Sequence, residues 1–260
     1  MRYYVVDAFT DELFKGNPAG VCVLDEPMDA SVMQNIAMEN NLSETAFVVK
    51  SSSGYDLRWF TPAKEIELCG HATLATACVL STVCDSNANP LEFNTLSGIL
   101  KVRHVGELYE LDFPVRSATE TPISENMKAA VGVPIKGAWG GYNLMLELGD
   151  EKTIRDLNPD IDAIRRLEDW HGLIVTAAGE SCDFVSRYFA PNFGVNEDPV
   201  TGSSHTTLIP FWSERLGKDK MTARQLSKRG GVLYCQNAGQ RVLIAGRAVL
   251  YMKGEILLKT

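Results

Sequence analysis

The stretch NLSETAFVV, residues 41–49, places one carboxylate, Glu44, in a run that is otherwise mostly apolar and partly β-branched. Read with the two-residue period of a strand, Leu42, Glu44, Ala46 and Val48 share one face and Ser43, Thr45, Phe47 and Val49 the other. Two readings follow. A carboxylate at a strand end reaches solvent, or it lies beside a water-poor cleft. There its charged form is disfavoured and its pKa rises toward the range useful for proton transfer. Two more residues have the chemistry to work with it. His71, in CGHAT, titrates near neutrality when unperturbed, so it is either a second acid or base or a packed residue at a helix start. Asp198, in NEDPVTGSS, precedes a second helix start and is suited to position a polar group of a substrate or His71.

CGHAT and TGSSHTT each place a glycine, Gly70 or Gly202, and small or hydroxyl side chains at the first turn of a helix. Such a turn has unpaired N–H groups and the positive end of the helix dipole, so it attracts anions. Two such turns facing one cleft would hold a small carboxylate compound. Two ordinary capped helices are the plainer alternative.

The elements that must position these residues can be read along the chain. In the N-terminal part YYVVDAF reads as a strand, KGNPAG as a turn, VCVL as a strand and DASVMQNIAMEN as a helix. TAFVV and YDLRWFT read as strands, and HATLATACVLST as a helix buried on most sides. The second part repeats the plan: strand MLELG, helix DIDAIRRLED, strands GLIVTAA and CDFVSRYFAP, then the helix opened by Gly202. A strand meander of GVLYC, RVLIAGRAVLYM and EILLK ends the chain. RWFTP (58–62) recurs as RYFAP (187–191), each leading through an acidic segment to a glycine that opens a helix, which predicts an internal duplication. The expected halves are residues 1–115 and 120–260, divided near PVRSATETPIS, with the last strand able to pack with the N-terminal half.

With 260 residues, 45% of them hydrophobic, the chain can fill real cores. A net charge of −8, from 33 acidic and 25 basic residues, argues against nucleic acid as a partner. No apolar run approaches the roughly 18 residues of a membrane span, and the first residues lack a signal-peptide profile, so the expected location is the cytoplasm. Six scattered cysteines without a CxxC pair read as reduced thiols, and the spacing of cysteines and histidines supports no metal site. GNPAG and KGAWGGYN lack the spacing of nucleotide-binding loops.

FKGNPAGV, NLSETAF, RWFTPAKEIELCGHATLA, RYFAP and EDPVTGSSHTTLIPFW, in this order and over nearly the whole chain, resemble the PhzF family, named for an isomerase of phenazine biosynthesis. The resemblance implies a diaminopimelate-epimerase-like α+β fold. Two similar domains would each wrap a curved, mostly antiparallel sheet round a central helix, with the active site in the cleft between them. It implies a cofactor-independent isomerase in which Glu44 moves a proton on a small carboxylate substrate. Glu44, His71 and Asp198 carry over as catalytic residues, and Gly70, Gly202 and Ser203 as substrate-binding residues. Many relatives have alanine after the TGS serine, where this chain has Ser204 and then His205. Relatives are often dimeric, and exposed strand edges make a homodimer an expectation here too.

Two other readings compete. One is a racemase or epimerase using Cys69, whose place at a helix start would lower a thiol pKa. The matching loop of the second half, Asp198-Pro199-Val200, lacks the partner cysteine. The other is a small-ligand binding protein that kept the cleft without the chemistry.

Overall fold

In the computed structural model, residues 1–84 and 87–258 are described. Their contacts divide the chain into two units, Met1–Asp112 with Ala245–Thr260, and Phe113–Ile244.

The first unit opens with strands β1 (Arg2–Ala8) and β2 (Asn17–Leu24), helix α1 (Ala30–Asn40), and strands β3 (Glu44–Ser51), β4 (Gly54–Phe60) and β5 (Glu65–Ile66). Helix α2 (Gly70–Thr82) and strands β6 (Leu91–Thr95), β7 (Gly98–Val105) and β8 (Leu108–Pro114) follow. β2 and β3 pair in parallel, as do β4 and β6; β1–β2, β3–β4, β4–β5, β6–β7 and β7–β8 pair antiparallel. α1 and α2 supply the crossovers that parallel neighbours require. Every residue of α2 from Gly70 to Leu80 is buried, as its small, apolar sequence predicts. The helix packs against β1, β2, β3 and β7, so the sheet wraps round it.

The second unit has the same plan. β9 (Thr119–Glu120), helix α3 (Glu125–Val131), β10 (Gly137–Gly140) and β11 (Leu144–Glu147) lead to the short helices α4 (Glu151–Asp156) and α5 (Ile161–Arg165). Strands β12 (Leu173–Ala178), β13 (Phe184–Ala190) and β14 (Val195–Asp198), helix α6 (Gly202–Leu216), and strands β15 (Lys220–Gln225), β16 (Gly231–Ala238) and β17 (Arg241–Gly246) complete it. Every pairing from β10 to β16 repeats the sense of its counterpart from β1 to β7, including the parallel pairs β11–β12 and β13–β15. The final strand β18 (Ala248–Glu255) pairs antiparallel with β1.

The repeated RWFTP and RYFAP motifs do the same work in each unit. Arg58 on β4 grips Glu65 on β5 through two hydrogen bonds of 2.7 and 2.8 Å, and Arg187 on β13 grips Glu197 on β14 at 2.7 and 3.0 Å. Each guanidinium also lies over a phenylalanine two residues on, Phe60 or Phe189. The forked pair fixes the short strand that leads into the central helix.

Three expected elements differ. The helix foreseen over DIDAIRRLED stops at Arg165, because Arg166 and Leu167 turn their N–H groups to carbonyls only three residues back, tightening the chain out of the α-helix. RVLIAGRAVLYM is two strands, β17 and β18, broken at Arg247. Gly246 there lies against Phe9, whose ring carbon would be 2.4 Å from any Cβ. The strand foreseen at EILLK ends at Glu255; Ile256–Leu258 is not strand, and Lys259 lies outside the described residues. No helix among the described residues is long and apolar enough to cross a membrane.

The two arginine clamps differ in burial. Arg187 has a side chain only 11% exposed and donates also to the carbonyls of Ile154 and Leu157, whereas Arg58 is 35% exposed. Arg187→Ala should therefore cost about 3 kcal/mol, as breaking a buried pair does. Arg58→Ala should cost about 1 kcal/mol, nearer the value of a surface pair. Urea unfolding of the two variants checks this, and equal losses would contradict it.

Candidate active site

Glu44 is the first residue of β3, set by parallel register opposite Ala19 of β2. His71 is the second residue of α2 and is buried among the helix's apolar neighbours. The crossover brings them together: His71 Nε2 lies 3.2 Å from Glu44 Oε2, with the two side chains 5% and 15% exposed. Burial works against a charged imidazole, but the neighbouring Cys69 and Glu44 outweigh it and hold His71 well above the usual histidine range. The Cys69 thiol is itself pushed upward by burial, so the Glu44 carboxylate is the partner that sustains the charge.

The other edge of the ring has partners that the sequence did not reveal. Asn17 Nδ2 is 3.2 Å from His71 Nδ1, and Cys69 Sγ is 3.6 Å from the same nitrogen. Asn17 is fully buried at the start of β2. The preceding Gly16 turns the chain at φ +63°, where a Cβ would sit 2.2 Å from the carbonyl oxygen of Ala8. KGNPAG, read as no more than a turn, therefore delivers a polar side chain to the site; only its Gly-Asn-Pro order carried a signal. Ligand atoms of Glu44, Cys69 and His71 lie within 4.8 Å of one another, a set with the chemistry to attract a metal. The imidazole stands between the other two, with Nδ1 toward Cys69 and Nε2 toward Glu44.

The second unit gathers Asp198, Gly202 and Ser203. Asp198 ends β14, a strand where the sequence suggested a loop, and its Oδ2 accepts a hydrogen bond from the Thr201 hydroxyl. Gln225, buried at the end of β15 and unforeseen, ties the segment down. Its Nε2 donates to the Asp198 carbonyl and its Oε1 accepts from the Thr201 N–H, both at 2.8 Å. Gly202 opens α6, with Ser203 next to it. Ser204 and His205 both bond the Thr201 carbonyl at 2.8 Å. Burial lowers the His205 pKa to about 4, so its ring is neutral and its Nδ1–H is the donor.

A second feature sets these two helix starts apart. Asp29, Ser124, Asp150 and Asp160 cap α1, α3, α4 and α5 through side-chain oxygens. Cys69 and Thr201, at the same place before α2 and α6, make no side-chain cap hydrogen bond. The Thr201 hydroxyl is turned to Asp198 instead. Both central helices thus begin with glycine and without a side-chain oxygen on their first-turn N–H groups, an arrangement that suits an anion.

The duplication repeats the strand pairings and is asymmetric in chemistry. Phe47 pairs with Arg58 as Val175 pairs with Arg187, which makes Gly172 the counterpart of Glu44. A Cβ at Gly172 would lie 2.4 Å from the Tyr188 hydroxyl. That hydroxyl fills the space and bonds Asn143 Oδ1 and His171 Nδ1 at 3.1 Å each. Asp198, paired with Tyr188, corresponds to Ile66, which is paired with Trp59. The candidate-site carboxylate sits on a different strand in each unit, Glu44 on β3 and Asp198 on β14.

The raised pKa of His71 has a consequence for stability. A group whose folded value exceeds its unfolded one, about 6.5 for histidine, stabilises the fold fully below that unfolded value. The contribution is lost as pH rises through the raised folded value. The stability margin of wild type over His71→Gln should be greatest near pH 6 and shrink at alkaline pH, measured as urea midpoints. A margin independent of pH would contradict it.

Comparison with known proteins agrees with the fold and the motifs. The family model described as phenazine biosynthesis-like protein, PhzC-PhzF, matches residues 6–254. A Pseudomonas aeruginosa protein named as an uncharacterized isomerase is 48% identical over 259 residues, 99% of each chain. The crystal structure of a PhzF-family phenazine biosynthesis protein from Enterococcus faecalis is 50% identical and superposes with a TM-score of 0.97 over 99% of both chains. A hydroxyproline epimerase from Agrobacterium vitis, solved with trans-4-hydroxy-L-proline bound, is similar in fold. Its TM-score is 0.62 at 11% identity, covering 98% of this chain and 91% of its own. The chain belongs to the PhzC-PhzF family of phenazine biosynthesis-like proteins.

Proposed function

We propose that this isomerase moves a proton between carbon positions of a small carboxylate substrate, with Glu44 as the general acid and base and without a cofactor. The observation that carries the reading is the Glu44–His71 contact at 3.2 Å, in a pocket of side chains almost closed to water. Oε2 faces the imidazole, which leaves Oε1 for a substrate C–H. As Glu44 takes the proton, His71 Nε2 keeps a proton against Oε2 and orients the carboxylate. Glu44 then returns the proton to another carbon or another face. The negative charge that develops on the substrate is met by first-turn N–H groups at Gly70, a helix start without a side-chain oxygen cap. Within the second unit, Asp198, Gly202 and Ser203 have the chemistry to hold polar or anionic groups of a ligand. The epimerase solved with hydroxyproline supports a small carboxylate as the ligand class. The six free cysteines fit a reducing compartment, and the cytoplasm is the proposed location.

The thiol mechanism rests on one observation, the approach of Cys69 to His71 at 3.6 Å. Against it stand the burial of that thiol and the position of Thr201 at the corresponding helix start. The reaction is tested with carbon acids such as dihydro-hydroxyanthranilate, proline and diaminopimelate, following deuterium from solvent into substrate by mass spectrometry. Glu44→Gln, which keeps shape and removes the proton acceptor, should lower exchange by about a hundredfold or more while the fold is retained. Cys69→Ser should lose less than about tenfold. Full activity of Glu44→Gln removes the proposal, and loss confined to Cys69→Ser transfers the role to the thiol.

A further inference from the structure

A neutral imidazole carries one proton, and the partner of one nitrogen decides where it sits. At His71 the Nδ1 edge meets the Asn17 amide nitrogen at 3.2 Å and the Cys69 thiol at 3.6 Å, both of which can donate. The Nε2 edge meets the Glu44 carboxylate, which only accepts when ionised. We propose that Asn17 is a positioning residue that, by donating to Nδ1 of the neutral ring, holds His71 as the tautomer with its proton on Nε2, the nitrogen beside Glu44. This deepens the proposed role of Glu44 and rests on it only for its effect on rate.

The backbone makes Asn17 a rigid donor. Gly16 sets a turn that no side chain fits, and Pro18 restricts the residue before it to extended conformations. Antiparallel register seats Asn17 opposite Ala8 at the end of β1, and the side chain is fully buried. The tautomer matters because its reversal would bring two acceptors, Nε2 and the carboxylate, face to face across 3.2 Å. The titratable groups that bear on the ring are Glu44 from β3 and Cys69 from the start of α2.

The state of the ring is measurable without a substrate. The chain has four histidines, so 15N imidazole spectra are assignable, with His71→Gln identifying the His71 signals. Wild type, titrated until His71 is neutral, should show the proton on Nε2. Asn17→Asp places an acceptor at Nδ1 and should move the proton there. Asn17→Leu, close in volume, should give a mixture of tautomers in the neutral ring and, above the raised His71 value, a kcat about tenfold to a hundredfold lower than wild type at the same pH, with KM within about twofold. A wild-type neutral ring protonated on Nδ1 overturns the proposal, even if the variants fail to fold. So do folded variants with the wild-type tautomer. If the Nε2–H tautomer is found and no exchange depends on Glu44, the proposed function fails and the role of Asn17 at the ring stands. If exchange depends on Glu44 and the ring is Nδ1–H, the reverse holds.

Discussion

A carboxylate and an imidazole meeting at 3.2 Å inside a largely apolar unit is the contact on which the rest of the first unit depends. Burying an ion pair costs several kcal/mol per charge before its attraction is counted, so the pair exists only where the surroundings force it. Here three pieces of backbone do so. Parallel pairing of β2 and β3 fixes Glu44 opposite Ala19, the fully buried α2 fixes His71, and the Gly16 turn fixes Asn17 behind the ring. Removing one partner would leave the other buried without compensation, which costs more than the pair itself contributes.

The second unit shows what the same backbone does under different chemistry. Where the first unit carries Glu44, the second carries Gly172, and the Tyr188 hydroxyl occupies the room. Where the first has Ile66, the second has Asp198, held by Thr201 and Gln225. The conserved part of the duplication is the arginine clamp and the glycine-started helix; the varied part is the set of side chains those devices present. A carboxylate that is to take and return a proton needs a nearly dry setting and one firm partner. A carboxylate that is to orient a polar group is better satisfied by hydroxyl and amide donors.

Much of the architecture was legible because it rests on patterns local in sequence. HATLATACVLST has no polar face, and the chain has room for such a helix only inside a sheet; the repeat of RWFTP as RYFAP foretold two related units. Glu44 stood out because a charge on an apolar strand must be explained. Asn17, Gln225 and Tyr188 were not legible. Each acts through a contact distant in sequence, and none breaks a local pattern. The overlong helix at DIDAIRRLED shows the opposite failure, since its periodicity is helical and its end is decided by the i−3 hydrogen bonds of its last turn. The break between β17 and β18 depends on the close approach of Phe9, which no window of neighbouring residues contains.

The pH dependence of deuterium exchange at the substrate carbon tests the central assignment most directly. With Glu44 as the base and His71 keeping its proton beside the carboxylate, the rate should pass through pH 6.5 without a break. It should fall only at the higher pH where the raised His71 value is crossed. A rate that instead climbs at alkaline pH with ionisation of the Cys69 thiol, which burial pushes upward, would put Cys69 in the catalytic role and contradict the account.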